Sequence, residues 1–293
     1  MNCVKQRRKL MAQSITNAFV TLFDAEVKQA YQGESSILGC VRLRQGVQGQ
    51  TYKFPKLGKG SATARIPQTD VTPLNVTYSQ VTATMSDFNA AEYSDIFHQA
   101  KVNFDERQEL VQVVSKAIGR RMDQLIIDAV NGASGTGTVA KNVVTSGSAA
   151  NSNLNVGKLI AAKKAMDAKN VPFDDRHIII HANSLSGLLA DERAISGDFA
   201  SIKALVSGEI NTFLGFRFYV LGDRDEGGLP LATNDRTCFA FHRSAVGMAV
   251  NMAQKTEINY VPEKTSFLVN SMFSAGAVAI DADGIVKITT DES

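Results

Sequence analysis

A run of alternating apolar residues at 74–88 is the feature of this sequence that most constrains its fold. Its apolar side chains fall in two blocks, Leu74, Val76 and Tyr78, then Val81, Ala83 and Met85. The phase shifts by one residue at 79–80, which predicts a β-bulge. As one strand, the run would be about 50 Å long, whereas a usual strand spans roughly 17–20 Å. A ribbon of that length cannot bury its face on its own domain, so we expect it to lie on a second copy of the chain.

The segment before this run is also extended, and it is basic. Alternating stretches at 41–44 and 51–54 predict two further strands, and the Pro- and Gly-containing residues 55–67 predict a loop. Between residues 36 and 86, six basic residues stand against one acid, Asp70. These six are candidate contacts with a neighbouring copy: Arg42, Arg44, Lys53, Lys56, Lys59 and Arg65.

Two explanations of this positive charge stay open. The charges could be solvated, and would then prevent the ribbon edges from pairing with wrong partners. Alternatively, they could steer the ribbon onto an acidic strip of the next copy, for which the candidate is Asp105, Glu106 and Glu109. One exposed ion pair contributes only about 0–1 kcal/mol, so a measurable effect requires many repeated contacts.

The strongest helical pattern covers residues 106–130. Apolar residues recur there at intervals of three and four, at Leu110, Val113, Val114, Ala117, Ile118, Leu125 and Val130. Asn103 or Asp105 is the expected N-cap, and acidic residues in the first turn suit the helix dipole. The helix is expected to end at Asn131–Gly132 and to be about 37 Å long.

The remaining sequence mixes helices and strands without a regular βαβ rhythm, so the expected class is α+β. Helical patterns occupy 13–31 and 156–169, and Asn183 is the expected cap of a further short helix. The Gly- and Ser-rich residues 132–153 predict a loop. Extended patterns predict strands at 177–181, 213–220, 238–241, 245–250, 266–280 and 285–288, with 238–241 and 245–250 as a pair and Asp283–Gly284 as a hairpin turn.

Composition narrows the classes of function. With 44% hydrophobic residues, 20% charged residues and a net charge of +2, the chain is neither disordered nor a strongly basic nucleic-acid binder. No apolar run approaches the roughly 18 residues of a membrane span, so we expect no membrane contact. Three cysteines and four histidines suit neither a disulfide scaffold nor a zinc site. The basic start is expected to form a surface arm, with contact to nucleic acid as the alternative, through Lys5, Arg7, Arg8 and Lys9.

Motifs that resemble binding sites fail in detail. The glycine run 132–138 lacks the Lys and the following helix of a phosphate-binding loop. His177 and His181 would lie about 13 Å apart on a strand, too far to share a metal ion. The pair Asp281 and Asp283 lacks the further acidic ligands of a calcium loop. The sequence therefore predicts no catalytic residue, no cofactor and no metal site, and we expect the chain not to be an enzyme.

The order of these parts resembles the major capsid protein of tailed double-stranded DNA bacteriophages, which has the Hong Kong 97-type fold. The segments that carry the resemblance are the ribbon 42–85, the long helix 106–130, the strand and helix of 176–189, the Gly–Phe passage of 208–216 and the His-containing stretch 241–247. The likeness extends over about residues 12–288. The short, aromatic-poor segments are most similar to the podovirus-like branch.

The resemblance implies a structural protein of the virion. Copies would assemble in the host cytoplasm into hexamers and pentamers of an icosahedral head around packaged double-stranded DNA, which they would contact without sequence specificity. Expected partners are further copies, portal and scaffold proteins, and a decoration protein. The implied parts are an N-terminal arm (1–35), an extended loop over the neighbouring subunit (36–87), a peripheral domain with the long helix (88–150 and 251–293) and an axial domain (151–250).

Two other functions stay open on the sequence alone. The same fold could form an encapsulin-type nanocompartment around a cargo enzyme, or the chain could be an α+β hydrolase or transferase. Terminase and portal genes nearby would favour the phage head, whereas a single adjacent cargo gene would favour the nanocompartment. Shells in electron micrographs would support either shell function, and a discrete small oligomer would support the enzyme.

Overall fold

The computed structural model describes residues 32–102, 105–145, 147, 150–191 and 212–292. Its helices are α1 (Ile96–Gln99), α2 (Glu106–Asn131), α3 (Val156–Ala168) and α4 (Ala182–Ala190). Its strands are β1 (Arg42–Gln45), β2 (Thr51–Leu57), β3 (Tyr78–Thr84), β4 (Ser86–Asp95), β5 (Gly137–Val139), β6 (Arg176–His181), β7 (Thr212–Phe213), β8 (Phe216–Leu221), β9 (Leu231–Ala232), β10 (Asp235–His242), β11 (Val246–Val261), β12 (Ser266–Ala279) and β13 (Ile285–Asp291).

The described strands form three sheets. A four-stranded sheet has the order β1-β11-β12-β4, and a seven-stranded sheet has the order β5-β13-β10-β6-β8-β7, with β9 paired to β10. The third sheet is the two-stranded ribbon β2-β3. Helices and mixed sheets therefore share one chain, which confirms the predicted α+β class.

Helix α2 begins and ends as the sequence predicts. Asp105 is the N-cap, and its side chain accepts a hydrogen bond from the backbone N–H of Arg107 at 3.2 Å. The helix packs on β12 and β4 of the four-stranded sheet. Val114 and Ile118 are buried on this face, with Ile118 only 2% exposed. The apolar residues that recur every 3.6 positions thus lie on one side of the helix, and that side is buried against the sheet.

Two groups of buried apolar side chains hold the fold together. The larger joins α2, α3 and the seven-stranded sheet, and its members include Ile126, Leu159, Phe239 and Phe241. The smaller lies where the ribbon meets the body and comprises Val47, Phe54, Ala83, Met85, Ala249 and Ile280. We call this smaller group the loop-base cluster. It fixes the inner end of the extended loop to its own chain.

The predicted single strand over 74–88 is wrong. The extended hydrogen bonding begins at Tyr78 and breaks at Met85, after which β4 pairs with β12 in another sheet. The bulge at 79–80 is also wrong, because Lys56 faces Ser79 and Pro55 faces Gln80 in unbroken register. The break has a physical cause: the Met85 side chain is buried in the loop-base cluster, and its N–H donates to the Gln50 carbonyl at 2.8 Å. The inner ribbon therefore buries its face on its own chain, contrary to expectation.

Several smaller expectations need correction. Residues 213–220 form a hairpin, because Leu214 and Gly215 both adopt positive φ angles of 52° and 85° and reverse the chain. The N-cap of α4 is His181, whose ring nitrogen accepts from the N–H of Asn183. The predicted loop 132–153 contains the strand β5, which β13 stabilises by parallel pairing.

The strands β10 and β11 are consecutive but do not form the expected pair. A short helical turn, Arg243–Ala245, separates them, and each then joins a different sheet. The expected hairpin at Asp283–Gly284 is likewise a turn of 3₁₀ helix that passes from β12 in one sheet to β13 in the other. Both segments therefore connect the two large sheets.

Sheet membership also bears on the expected division into domains, which stays a prediction. The strands β5 and β13 lie within 88–150 and 251–293, yet they pair in the seven-stranded sheet with strands of the 151–250 segment. The predicted helix at 13–31, the basic start of the chain, the alternative cap Asn103 and residues 208–211 of the Gly–Phe passage lie outside the described residues.

Candidate assembly surfaces

The outer part of the extended loop, residues 58–77, forms no strand and is almost wholly exposed. We call it the loop tip. Large apolar side chains are exposed along it and at the adjoining ends of the ribbon, at Leu57, Ile66, Val71, Leu74 and Tyr78. Val71 is 88% exposed and Tyr78 80%. Several large apolar side chains exposed along one short segment favour a protein–protein contact there.

The six basic residues predicted as intersubunit contacts lie in three different places. Arg42 and Arg44 belong to β1 at the edge of the four-stranded sheet, where the guanidinium of Arg42 lies 5.9 Å from the Phe54 ring centre. Lys53 and Lys56 lie on β2 of the ribbon. The remaining two, Lys59 and Arg65, lie in the loop tip. The sequence places these residues close together along the chain, but the fold separates them.

Two of the loop lysines form ion pairs within their own chain. The Nζ atom of Lys56 lies 2.8 Å from Oδ1 of Asp281, and Nζ of Lys59 lies 3.5 Å from Oδ2 of Asp283. A third lysine, Lys169 at the end of α3, lies 3.2 Å from Oδ1 of Asp283. Hydrogen bonding to Lys169 is the main cause that holds the pKa of Asp283 below its ordinary value. No local pattern indicates these contacts, because the partners are far apart along the chain.

The acidic residues at the start of α2 also have partners within the chain. Asp105 caps the helix and lies 3.4 Å from Nε of Arg107. Glu106 accepts a hydrogen bond from the Ser94 hydroxyl at 2.7 Å. Glu109 lies one turn further along, and its N–H donates to the Asp105 carbonyl at 3.4 Å. Their role as an acidic strip for the neighbouring loop stays a prediction.

A buried carboxylate anchors the segment that follows the N-terminal arm. Asp123 on α2 accepts hydrogen bonds from the Ser35 hydroxyl at 2.8 Å and from the N–H groups of Ser36 and Ile37. Arg224 lies 3.2 Å from the same carboxylate. Burial raises the pKa of Asp123, and these donors and the arginine oppose the rise. Nothing in the sequence singles out this residue, because one Asp in a helix forms no pattern.

Helix α3, which packs on β5 and β13 of the seven-stranded sheet, carries a buried amine. The side chain of Lys158 is fully buried, and its Nζ donates to the carbonyl oxygens of Ser152 and Thr289. No carboxylate pairs with it among the described residues. Burial therefore lowers its pKa to about 8. The amine connects α3 to β13 and to the segment before α3.

The histidines that could suggest metal binding have structural roles. Both lie on β6, which confirms the expected strand. His177 packs against the rings of Tyr219 and Phe241, and burial lowers its pKa. His181 caps α4, and its Nε2 lies 3.1 Å from Oδ1 of Asp223. Within the described ranges, no group of three His, Cys, Asp or Glu side chains is arranged to hold a metal ion.

A polar cleft of about 580 Å³ lies between α2 and the segment after β8. Two of its arginines are paired: Arg236 lies 3.3 Å from Asp223, and Arg224 lies 3.2 Å from Asp123 on α2. These pairs make the cleft a structural junction. In the part of the chain that the structure describes, none of the helices is both long and apolar enough to span a membrane.

Solved structures with the same fold are capsid proteins of bacteriophages. The capsid of cyanophage P-SCSP1u matches with a TM-score of 0.72 and 17% identity over 95% of both chains. The head of Helicobacter pylori bacteriophage KHP40 matches with a TM-score of 0.76 and 12% identity, over 98% of this chain and 100% of that one. The capsid of Ralstonia phage GP4 matches with a TM-score of 0.68 and 12% identity, over 97% and 98%. No curated protein sequence matches the chain.

A family model assigns the chain to a protein family, which similarity of fold alone does not do. The model described as phage capsid protein matches residues 15–292, which is nearly the whole chain. Family and fold confirm the predicted Hong Kong 97-type architecture and a structural, non-enzymatic role, while the podovirus-like branch stays a prediction. The chain belongs to the phage capsid protein family and is a structural major capsid protein of the virion.

Proposed function

We propose that copies of this chain assemble into hexamers and pentamers that close into an icosahedral head around double-stranded DNA. The loop tip is the observation that carries the proposal, because its large apolar side chains have no cover on their own chain. Exposure of this kind is costly in water and is relieved when a neighbouring copy covers it. The extended loop would therefore lie over the adjacent subunit of the same capsomer.

The sheets suggest how the chain is divided in such a shell. We propose that the seven-stranded sheet with α3 and α4 forms the axial domain, and that the four-stranded sheet with α2 forms the peripheral domain. This division assigns β5 and β13 to the axial domain, on the basis of their pairing. The arm (1–35) and the extended loop (36–87) would reach between subunits.

The remaining partners follow from the same proposal. A shell of defined size requires a scaffold protein during assembly and a portal through which DNA enters, and its outer surface would accept a decoration protein. Contact with DNA would be non-specific, since the net charge of the chain is only +2. We infer no sequence-specific recognition of DNA.

The contacts between subunits are proposed to include the basic loop residues and the start of α2. Lys53 and Arg65 have no ion pair within the described residues, so they are the best candidates for contact with another copy. Lys56 and Lys59 are less suited, since aspartates of the same chain already pair with them. The acidic counterpart would be the strip Asp105, Glu106 and Glu109 of the neighbouring subunit.

A triple substitution of the loop tip tests the proposal. The variant Ile66→Ser, Val71→Ser and Leu74→Ser removes exposed apolar groups without touching either core, so its circular dichroism should match that of the unmodified chain. We expect sedimentation velocity and negative-stain microscopy to show loss of shells. The control Ile160→Ser changes an apolar residue that is 51% exposed on α3. Normal shells from the triple variant would contradict the proposed role of the loop.

The contents of the shell test the second part of the proposal. Particles isolated from infected cells should contain double-stranded DNA that resists nuclease until the shell is disrupted. Shells that instead enclose a single co-purifying enzyme would support the nanocompartment. Mass spectrometry of the particle proteins would identify the portal and any decoration protein directly.

A further inference from the structure

The turn that joins the two large sheets is also the place where the extended loop meets the body. Residues 281–284 connect β12 of the four-stranded sheet to β13 of the seven-stranded sheet. The turn is stabilised internally, because the side chain of Asp281 accepts from the N–H of Asp283 at 3.1 Å. The N–H groups of Ile280 and Asp281 both donate to the Ala245 carbonyl. The two carboxylates are therefore held on a fixed piece of backbone.

Three lysines from three separate elements converge on these carboxylates. Lys56 comes from the ribbon strand β2 and Lys59 from the loop tip, whereas Lys169 follows α3. The Lys56 and Asp281 side chains are 37% and 39% exposed, so water screens the pair only in part. Asp283 lies between Lys59 and Lys169, and its carboxylate thus connects the loop to the seven-stranded sheet.

The loop-base cluster and these ion pairs restrain different parts of the loop. At its base, the loop packs directly against two glycines of the body. A side chain at Gly276 would collide with the carbonyl of Thr84, and a side chain at Gly247 would collide with the Phe54 ring. Packing of that kind fixes the inner ribbon. Further out, the ribbon surface becomes exposed, and the lysine–aspartate pairs are the contacts that hold Lys56 and Lys59 against the body.

We propose that Lys56, Lys59, Lys169, Asp281 and Asp283 form an electrostatic latch that sets the direction of the extended loop relative to the junction of the two sheets. The latch makes loop orientation dependent on ionic strength, because partly exposed ion pairs weaken as the Debye length shortens to about 3 Å at 1 M salt. It also couples the loop to the end of helix α3, since Asp283 pairs with both Lys59 and Lys169. This inference concerns the single chain and does not require the proposed shell.

Charge reversal tests the latch. We would measure backbone hydrogen exchange by mass spectrometry for peptides of residues 51–84 in Lys56→Glu, in Asp281→Lys and in the double variant, all in one assembly state verified by sedimentation. Each single variant should exchange about 2–5-fold faster in these peptides, which is the effect of losing one partly exposed pair. The double variant restores the opposite charges but not the hydrogen bond that Asp281 accepts from the N–H of Asp283, so it should exchange more slowly than either single variant without fully matching the unmodified chain.

Matched controls separate the latch from a general effect of charge. In the unassembled chain, where no neighbouring copy can contact it, Lys53→Glu makes the same charge change three residues away on the same strand, at an exposed residue without an ion pair in the described part of the chain, and should leave exchange unchanged. Peptides of β10 in the main core should not change in any variant. In the unmodified chain, 1 M sodium chloride should accelerate exchange of residues 51–84 relative to β10.

Three results would overturn the inference. The first is a Lys56→Glu variant that exchanges no faster than Lys53→Glu. The second is a double variant that exchanges as fast as the singles, because the two charges would then act independently. The third is loop exchange that does not respond to salt in the unmodified chain, and this result stands even where a variant fails to fold.

Discussion

The carboxylate of Asp123 accepts a hydrogen bond of 2.8 Å from the hydroxyl of Ser35, so helix α2 holds the chain at the point where the N-terminal arm joins the body. The N–H groups of Ser36 and Ile37 and the guanidinium of Arg224 complete the same contact. One buried side chain thus positions both residues 35–37 and the segment after β8.

Replacing Asp123 by Ala should be strongly destabilising. The change leaves two backbone N–H groups without an acceptor and the mostly buried Arg224 without its partner. We expect the free energy of unfolding to fall by about 3–5 kcal/mol in urea denaturation. Asp128→Ala, an exposed Asp on the same helix, should cost less than about 0.5 kcal/mol. Equal effects of the two substitutions would refute the anchoring role.

Ile118 tests the orientation of helix α2. Ile118→Asp places an unpaired charge at a side chain that is 2% exposed, and it should abolish soluble expression. Ile118→Val is a milder substitution that should still fold, and it should lower the free energy of unfolding in urea by about 0.5–1.5 kcal/mol. Gln112→Asp changes an exposed residue of the same helix and should be tolerated. Normal expression and assembly of Ile118→Asp would show that the buried face is assigned wrongly.

The buried amine of Lys158 predicts a dependence of stability on pH. Its pKa is about 8 in the folded chain, against the ordinary value of 10.5. Between these values the unfolded chain binds more protons than the folded chain, so the contribution of Lys158 to stability increases as the pH rises. Below pH 8 the buried amine is mostly protonated, so burial of its charge lowers the stability of the folded chain by the full amount.

The variant Lys158→Met isolates this effect. The unfolding free energy of the unmodified chain, minus that of the variant, should increase by on the order of 1–3 kcal/mol between pH 7.5 and 10. Lys164→Met, at an exposed residue of the same helix, should give no such change. A difference that stays flat or decreases over this range would contradict the assignment.

Substitution of Lys53 and Arg65 distinguishes contacts between subunits from contacts within one subunit. The double variant Lys53→Glu and Arg65→Glu should leave hydrogen exchange of the loop unchanged, because neither residue has an ion pair within the described part of the chain. If these charges steer the loop onto a neighbour, assembly measured by light scattering should slow, and salt should slow assembly of the unmodified chain. Unchanged assembly on both counts would mean that the two charges are only solubilising.

Local patterns predicted the elements whose residues carry their own periodicity. Helix α2 follows from its apolar period and its Asp105 cap, and β6 from a continuous apolar run. Strand partners were not predictable in this way. The extended run breaks at Met85 because this side chain is buried in the loop-base cluster, to which residues 249 and 280 also belong. Those residues are far from Met85 along the chain, so the sequence around Met85 does not predict the break.

The candidate site was predictable only in part. The sequence predicts that the loop is basic and that much of it is extended. The pairing of Lys56 and Lys59 with Asp281 and Asp283 was not predictable, because more than 200 residues separate the partners and no local pattern joins them. The hairpin at Leu214–Gly215 had a usable signal in its glycine, which suits the positive φ angle found there.

Electron microscopy of the purified chain tests the central claim most directly. The chain would be expressed alone, concentrated with and without a crowding polymer to replace the effect of a scaffold protein, and imaged in vitreous ice. We predict closed particles with icosahedral symmetry, whose capsomers place the extended loop over the adjacent subunit. A discrete small oligomer of fixed size at every concentration and salt, with the loop tip uncovered, would contradict the account.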